Sequence, residues 1–216
     1  MSPRALVAGR VAFALLSALI IVIAGRGLDF LSRPVGALYL VLWIAYWLAQ
    51  ATRARGVPSE YDKKQRRVYL SGVVVIPVLI LVLPWEYVSF SGPIPRDGPS
   101  AFAGLLVFAS GILILVSAMR ALGKLYTSYL GIQPDHPLVT SGPYGFVRHP
   151  GYLGEILSVF GMGLSLSSLV GLVLAIASVV LVLYRIPPEE EMLLAKFGEE
   201  YREYARRSYR LIPFVY

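Results

Sequence analysis

Five apolar stretches fill most of this chain and limit it to a solvent other than water. They run from about Leu6 to Ala24, Val35 to Ala51, Tyr69 to Val88, Phe102 to Leu122 and Leu153 to Ile186. Roughly 20 apolar residues in a helix cross the hydrocarbon core of a bilayer. In lipid, each backbone N–H and C=O must be satisfied by the protein, and a helix does this within its own segment. The last stretch is too long for one crossing. Its middle reads GMGLSLSSLVG, small and polar enough to turn, which predicts a tight helical hairpin bent near Ser165 to Ser168. The expectation is an all-α integral membrane protein of about six crossings, the third kinked at Pro77, which removes a backbone donor.

Composition agrees and excludes several functions. Hydrophobic residues make up 56% of the 216 and charged residues 15%, too apolar a balance for a soluble domain of this size. The absence of cysteine removes disulfides, thiolate metal sites and a thiol nucleophile, and two histidines are too few for a multi-histidine metal centre. The net charge of +7 is dispersed among loops, which argues against nucleic acid as a partner. Arg53, Arg55, Lys63, Lys64, Arg66 and Arg67 crowd one loop, which the positive-inside rule puts in the cytoplasm. The loop from Ser89 to Ser100 carries only Arg96 against Asp97 and is expected outside, with both termini cytoplasmic. Arg4 and Arg10 precede an apolar run, but no small-residue cleavage site precedes Arg26, so this segment reads as a retained helix. Residues 1–122 are thus expected to form N-terminal membrane helices, and residues 123–216 a functional core within the same membrane domain.

Two polar clusters stand at the ends of the hairpin. The first is HPLVTSGPYGFVRHPGYLG, beginning at His136, with two histidines, Arg148, Tyr144 and Tyr152. Gly142-Pro143 and His149-Pro150 force its backbone out of regular structure, and Pro150 suits the first position of the entering helix. Irregular backbone near membrane depth is tolerated where it is buried in protein or lines a cavity. Taken singly, His136, His149, Tyr144 and Tyr152 also fit plain interfacial roles. The second cluster is Arg185 followed by Glu189, Glu190 and Glu191. After Pro187-Pro188 these glutamates are expected to open an amphipathic helix, Pro188 to Tyr209, whose apolar face (Leu193, Leu194, Phe197, Tyr201, Tyr204) lies along the cytoplasmic interface. Helix capping accounts for one carboxylate but not for three with an arginine nearby. An arginine fork binds a carboxylate or phosphate, and a glutamate holds an ammonium. Glu155, inside the first hairpin helix, is a further candidate because an ionisable group there is costly without a partner.

These residues carry a resemblance. LVTSGPY, RHPGY, the arginine before a glutamate cluster, FGEEYREY and a closing LIP recur in the order found in the isoprenylcysteine carboxyl methyltransferase family. The chain is similar also to the related membrane phospholipid methyltransferases. The resemblance covers roughly Leu122 to Pro213 and implies an integral membrane enzyme that uses S-adenosyl-L-methionine in a cytosol-facing pocket. By position it implies cofactor contacts from His136, Leu138, Val139, Tyr144, His149, Pro150, Tyr152 and Glu189, and a substrate contact from Arg185. Glu155 departs from the family pattern, where an uncharged residue is more usual, and Pro187-Pro188 bears on the geometry between Arg185 and Glu189. The glycine fingerprint of a Rossmann cofactor site is absent from this half, since Gly161-Met162-Gly163 lies inside the hairpin.

The function these readings predict is methyl transfer to a lipophilic acceptor, with membrane lipids as surroundings. A carboxylate acceptor, such as that of an isoprenylated cysteine, needs Arg185 to orient it and no base. An amine acceptor, such as a phospholipid headgroup, needs to lose a proton, which Glu155 or the Glu189 cluster could take. The alternatives are a membrane reductase of the sterol-reductase type binding a nicotinamide, and a non-catalytic scaffold.

Overall fold

A computed structural model of the chain describes residues 3–51, 66–90, 94–126 and 137–216. His136 and the basic residues Arg53, Arg55, Lys63 and Lys64 lie outside the described residues. The helices are α1 (Pro3–Ala24), α2 (Leu28–Leu31), α3 (Pro34–Ala51), α4 (Arg66–Ser89), α5 (Pro99–Leu122), α6 (Pro150–Ser165), α7 (Leu169–Phe197) and α8 (Glu199–Arg206). Among the described residues the only β pairing is an isolated parallel bridge between Val147 and Tyr209.

By length and composition, Val7–Ala24 of α1, α3, α5 and α7 can each cross a membrane. A shorter apolar stretch, Val75–Ser89, lies in α4. Helix α6 has 16 residues, about 24 Å at 1.5 Å per residue, short of the ~30 Å hydrocarbon core. It is held as one arm of a hairpin with α7, and among the described residues four helices are long and apolar enough to cross a membrane. Leu15, Leu16, Leu19 and Ile23 of α1, Leu106 and Leu113 of α5, and Val173, Ile176 and Val180 of α7 are exposed, as lipid-facing stripes should be. The core is aromatic: Phe30, Tyr39, Trp43, Tyr87 and Phe108 are buried between α1, α3, α4 and α5. Trp43 Nε1 donates to Ser17 Oγ of α1 at 2.9 Å, satisfying an indole donor that would otherwise be stranded.

Small residues bring α5 and α6 into backbone contact. A Cβ added at Gly161 would stand 2.3 Å from Phe108 N, one at Gly154 2.7 Å from Leu115 N, and one at Gly111 2.6 Å from Ser158 N. Lipid offers no hydrophobic drive for helix pairing, so close van der Waals approach supplies it instead. The bend falls where the small residues predict it. Helix α6 ends at Ser165, and Ser168 caps α7 by accepting from Gly171 N at 2.9 Å. Glu86, buried on α4, secures this turn by accepting from Ser168 Oγ at 2.5 Å and Leu169 N at 3.1 Å. Its carboxyl oxygens thereby sit at the N-terminal end of α7, where backbone donors are otherwise unpaired.

The C-terminal helix differs from expectation. Helix α7 continues through Pro187 and Pro188 to Phe197 and breaks at Gly198, whose φ of 55° favours glycine. Proline's fixed φ is itself helical, so the pair costs the hydrogen bonds to the Leu183 and Tyr184 carbonyls. Both residues are exposed at the end of the apolar stretch. Glu189, Glu190 and Glu191 therefore sit far along one helix and not at the start of another, and helix capping does not explain them. Only the short α8 carries the expected amphipathic pattern as a separate helix, with Tyr201 and Tyr204 buried.

Candidate functional site

The segment before α6 is held against the chain's last residues. Gly142, at φ 61°, and Pro143 set a turn of 3-10 helix over Gly142–Gly145, and Pro150 occupies the first turn of α6. Between them the backbone pairs with the tail. Tyr209 N donates to Phe146 O at 2.9 Å, Arg148 N to Tyr209 O at 2.7 Å, and His149 N to Arg210 O at 3.1 Å. These bonds satisfy backbone groups that α6 does not reach. Tyr204 Oη of α8 donates to Tyr144 O at 2.7 Å, closing the same junction from the other side. Burial pushes the Tyr204 hydroxyl up to about 12, so it stays a donor at neutral pH. Burial also raises the Tyr144 hydroxyl, and the nearby Glu189 charge raises it further.

Arg148 is the hub of this junction. Its Nε donates to Glu190 Oε1 at 2.8 Å, and its guanidinium reaches the carbonyls of Ala205, at 2.9 Å, and Ser208. Arg210 Nε takes the other oxygen of Glu190, Oε2, at 2.8 Å. Glu190 is thus held between two arginines, with 12% of its side chain exposed.

Its neighbour Glu189 is placed differently, with 33% of its side chain exposed. Tyr152 Oη donates to Glu189 Oε2 at 2.5 Å. Glu189 Oε1 lies 3.9 Å from His149 Nδ1. His149 is buried, and its ring stacks on Tyr152 at 5.6 Å and 16°. His149 Nε2 has no hydrogen-bond partner and lies 3.5 Å from Glu190 Oε1. The Arg185 guanidinium stands over the Tyr152 ring, 5.4 Å from its centroid.

Of the residues expected at a site, the structure brings His149, Tyr152, Arg185 and Glu189 into one cluster, with Tyr144 close enough to feel Glu189. Leu138 and Val139 are half-buried in the extended segment leading to the turn. Glu155 lies one turn beyond Tyr152 on α6, half-buried. Sequence reasoning did not find the Arg148–Glu190–Arg210 junction. Arg148 stands in the RHPGY motif, but nothing local pairs it with a glutamate and a tail arginine far along the chain.

The arrangement defines a class: a multi-pass helical membrane protein with a polar site at one end of a helical hairpin. A family profile described as Phospholipid methyltransferase matches residues 99–200. Protein-S-isoprenylcysteine O-methyltransferase B of Arabidopsis thaliana is 34% identical over 146 residues, covering 65% of this chain and 73% of that protein. A probable protein-S-isoprenylcysteine O-methyltransferase of Oryza sativa subsp. indica is 33% identical over 122 residues, covering 53% of this chain. That match spans 62% of the rice protein's length. The solved structure of a eukaryotic intramembrane Ras methyltransferase, isoprenylcysteine carboxyl methyltransferase, superposes over 95% of this chain and 75% of that one. Its TM-score is 0.57 at 22% identity, a likeness of fold. The chain belongs to the isoprenylcysteine carboxyl methyltransferase family.

Proposed function

We propose that the chain transfers a methyl group from S-adenosyl-L-methionine to a lipophilic acceptor, with its site facing the cytoplasm. The observation that carries this reading is the unequal treatment of two adjacent glutamates. Glu190 is held by two arginines, while Glu189 is aimed by Tyr152 and left partly open beside a buried histidine. This donor set suits an amino-acid group, the carboxylate of Glu189 meeting the ammonium and the His149 ring nitrogen serving the carboxyl end. Leu138, Val139 and Tyr144 are of the type that packs against an adenine, and Pro150 fixes the helix start next to them. His136, on the same loop, belongs to this proposed set by family position.

The cofactor supplies an already activated methyl group, so the protein's share of the work is alignment and exclusion of water. Tyr152 and His149 flank Glu189, the proposed cofactor contact, and Arg185, over the Tyr152 ring, is the acceptor's clamp. Glu189→Ala and His149→Ala are each expected to weaken cofactor binding. One lost charge-assisted hydrogen bond costs about 1.5–3 kcal/mol, or roughly ten- to a hundredfold in affinity. Titration of purified protein with S-adenosylmethionine and with NADPH tests the assignment. Preferential NADPH binding would favour a reductase, and unchanged affinity in both variants with the fold preserved would remove the pocket.

Arg185 and Glu155 separate the acceptor classes. For a carboxylate, Arg185→Lys is expected to slow turnover, because a point charge does not reproduce the bidentate fork, while Glu155→Gln has little effect. For an amine the ranking inverts, since Glu155 then serves as the base. We favour the carboxylate of an isoprenylated cysteine, in keeping with the relatives' names. Turnover of an isoprenylcysteine analogue and of an ethanolamine lipid by both variants decides between them. Wild-type methylation of the carboxylate analogue by Arg185→Lys would end the case for this clamp.

Orientation has its own test. A cysteine placed near Asp97, in a chain with none of its own, is expected to label only from the outside of intact cells or sealed vesicles of known polarity. Labelling from the cytoplasmic side alone would reverse the proposed topology.

A further inference from the structure

Tyr152 touches both halves of the proposed site, and it does so with different chemical groups. Its hydroxyl donates to Glu189 Oε2 at 2.5 Å. Its ring lies 5.4 Å from the Arg185 guanidinium, an attraction between a cation and the negative face of the ring. The ring has little freedom to leave this position. His149 stacks against it at 16°, and the buried cluster of Val182, Ile186 and Leu211 packs on it. The helix beneath it is fixed as well, by Pro150 in its first turn and by Gly154, whose backbone abuts Leu115 of α5.

We propose that Tyr152 is a positioning residue that sets the donor and acceptor halves of the site in register, its hydroxyl aiming Glu189 at the cofactor and its ring holding Arg185 for the acceptor. The proposal rests on the methyltransferase reading and deepens it. The two duties are separable because they belong to different atoms. Removing the hydroxyl alone frees Glu189 to rotate and leaves the ring under Arg185. Removing the ring takes away both contacts. A side chain that only filled space would give no such split, since its loss would perturb both constants together.

The test uses the full chain in lipid nanodiscs, with S-adenosylmethionine and an isoprenylcysteine analogue as probes. For Tyr152→Phe the cofactor dissociation constant is expected to rise about tenfold, the equivalent of one good hydrogen bond, with acceptor KM within about twofold of wild type. For Tyr152→Met, which keeps much of the volume, both constants are expected to rise about tenfold. The Phe variant decides the matter by itself, because it preserves the packing and the stack on His149. If Tyr152→Phe raises both constants alike, or neither, the proposal is overturned while wild-type cofactor binding leaves the methyltransferase reading intact. If the wild-type protein does not bind S-adenosylmethionine, the methyltransferase reading fails and this proposal falls with it.

Discussion

Replacing Arg148 with alanine is expected to lower stability by about 3–5 kcal/mol and to abolish cofactor binding, the range found when one member of a buried ion pair is removed. The Arg148 side chain is 10% exposed and serves Glu190 and the carbonyls of Ala205 and Ser208. Its loss strands two carbonyls and leaves Glu190 with Arg210 as its remaining arginine, on a side chain 39% exposed. The junction that ties the segment before α6 to α8 and the tail then opens, and His149, the next residue in the chain, loses its placement. Arg148→Lys should rescue only part of the effect, because an ammonium does not span a carboxylate and two carbonyls as a guanidinium does. Arg210→Ala should be milder, being half in solvent and giving one bond to Glu190. Thermal unfolding in detergent, read alongside cofactor titration, measures all three. An Arg148→Ala protein with wild-type stability would show that the junction does not hold the site.

Gly161→Leu is expected to prevent assembly of the α5–α6 pair. Even the first carbon of the new side chain would sit 2.3 Å from Phe108 N, and the obstacle is backbone that cannot rotate away. Overpacking an ordinary core costs about 1–3 kcal/mol, and forcing two helices apart costs more because the whole seam is lost. The hairpin hangs on this seam, so the displacement reaches Tyr152 and Glu155 at its other end. Gly9→Ala is the matched control, since nothing lies within 4 Å of the added carbon. Loss of monodisperse protein for Gly161→Leu but not Gly9→Ala is the expected result, scored by size-exclusion profile. Equal behaviour of the two would mean that α5 and α6 do not touch through glycine.

How much of this was legible in the sequence depended on the range of the interaction. The hairpin bend was legible because Ser165 to Ser168 interrupt an apolar run locally, and a turn needs only local chemistry. Pro150 at the start of α6 was legible for the same reason. The fate of Pro187-Pro188 was not. A proline pair usually ends a helix, and here the helix passes through it, at a point where Leu183 and Tyr184 are exposed. The placement of the glutamates changed with it, from the start of an amphipathic helix to the interior of α7, where Glu190 is held by Arg148 and Arg210 and Glu189 by Tyr152. The motifs pointed to His149, Tyr152, Arg185 and Glu189 without saying which atoms meet. Glu86 went unnoticed because its partners, Ser168 and Leu169, belong to a different helix pair.

The central claim is that the Glu189 cluster holds a methyl donor beside a lipophilic acceptor. Its most direct test is methyl transfer itself, with S-adenosylmethionine labelled in the methyl group and an isoprenylcysteine analogue supplied to the purified chain in nanodiscs. The account predicts label recovered on the analogue as a base-labile ester, lost in Glu189→Ala while that variant still folds. Label on no lipophilic acceptor, or transfer undiminished in Glu189→Ala, would contradict it.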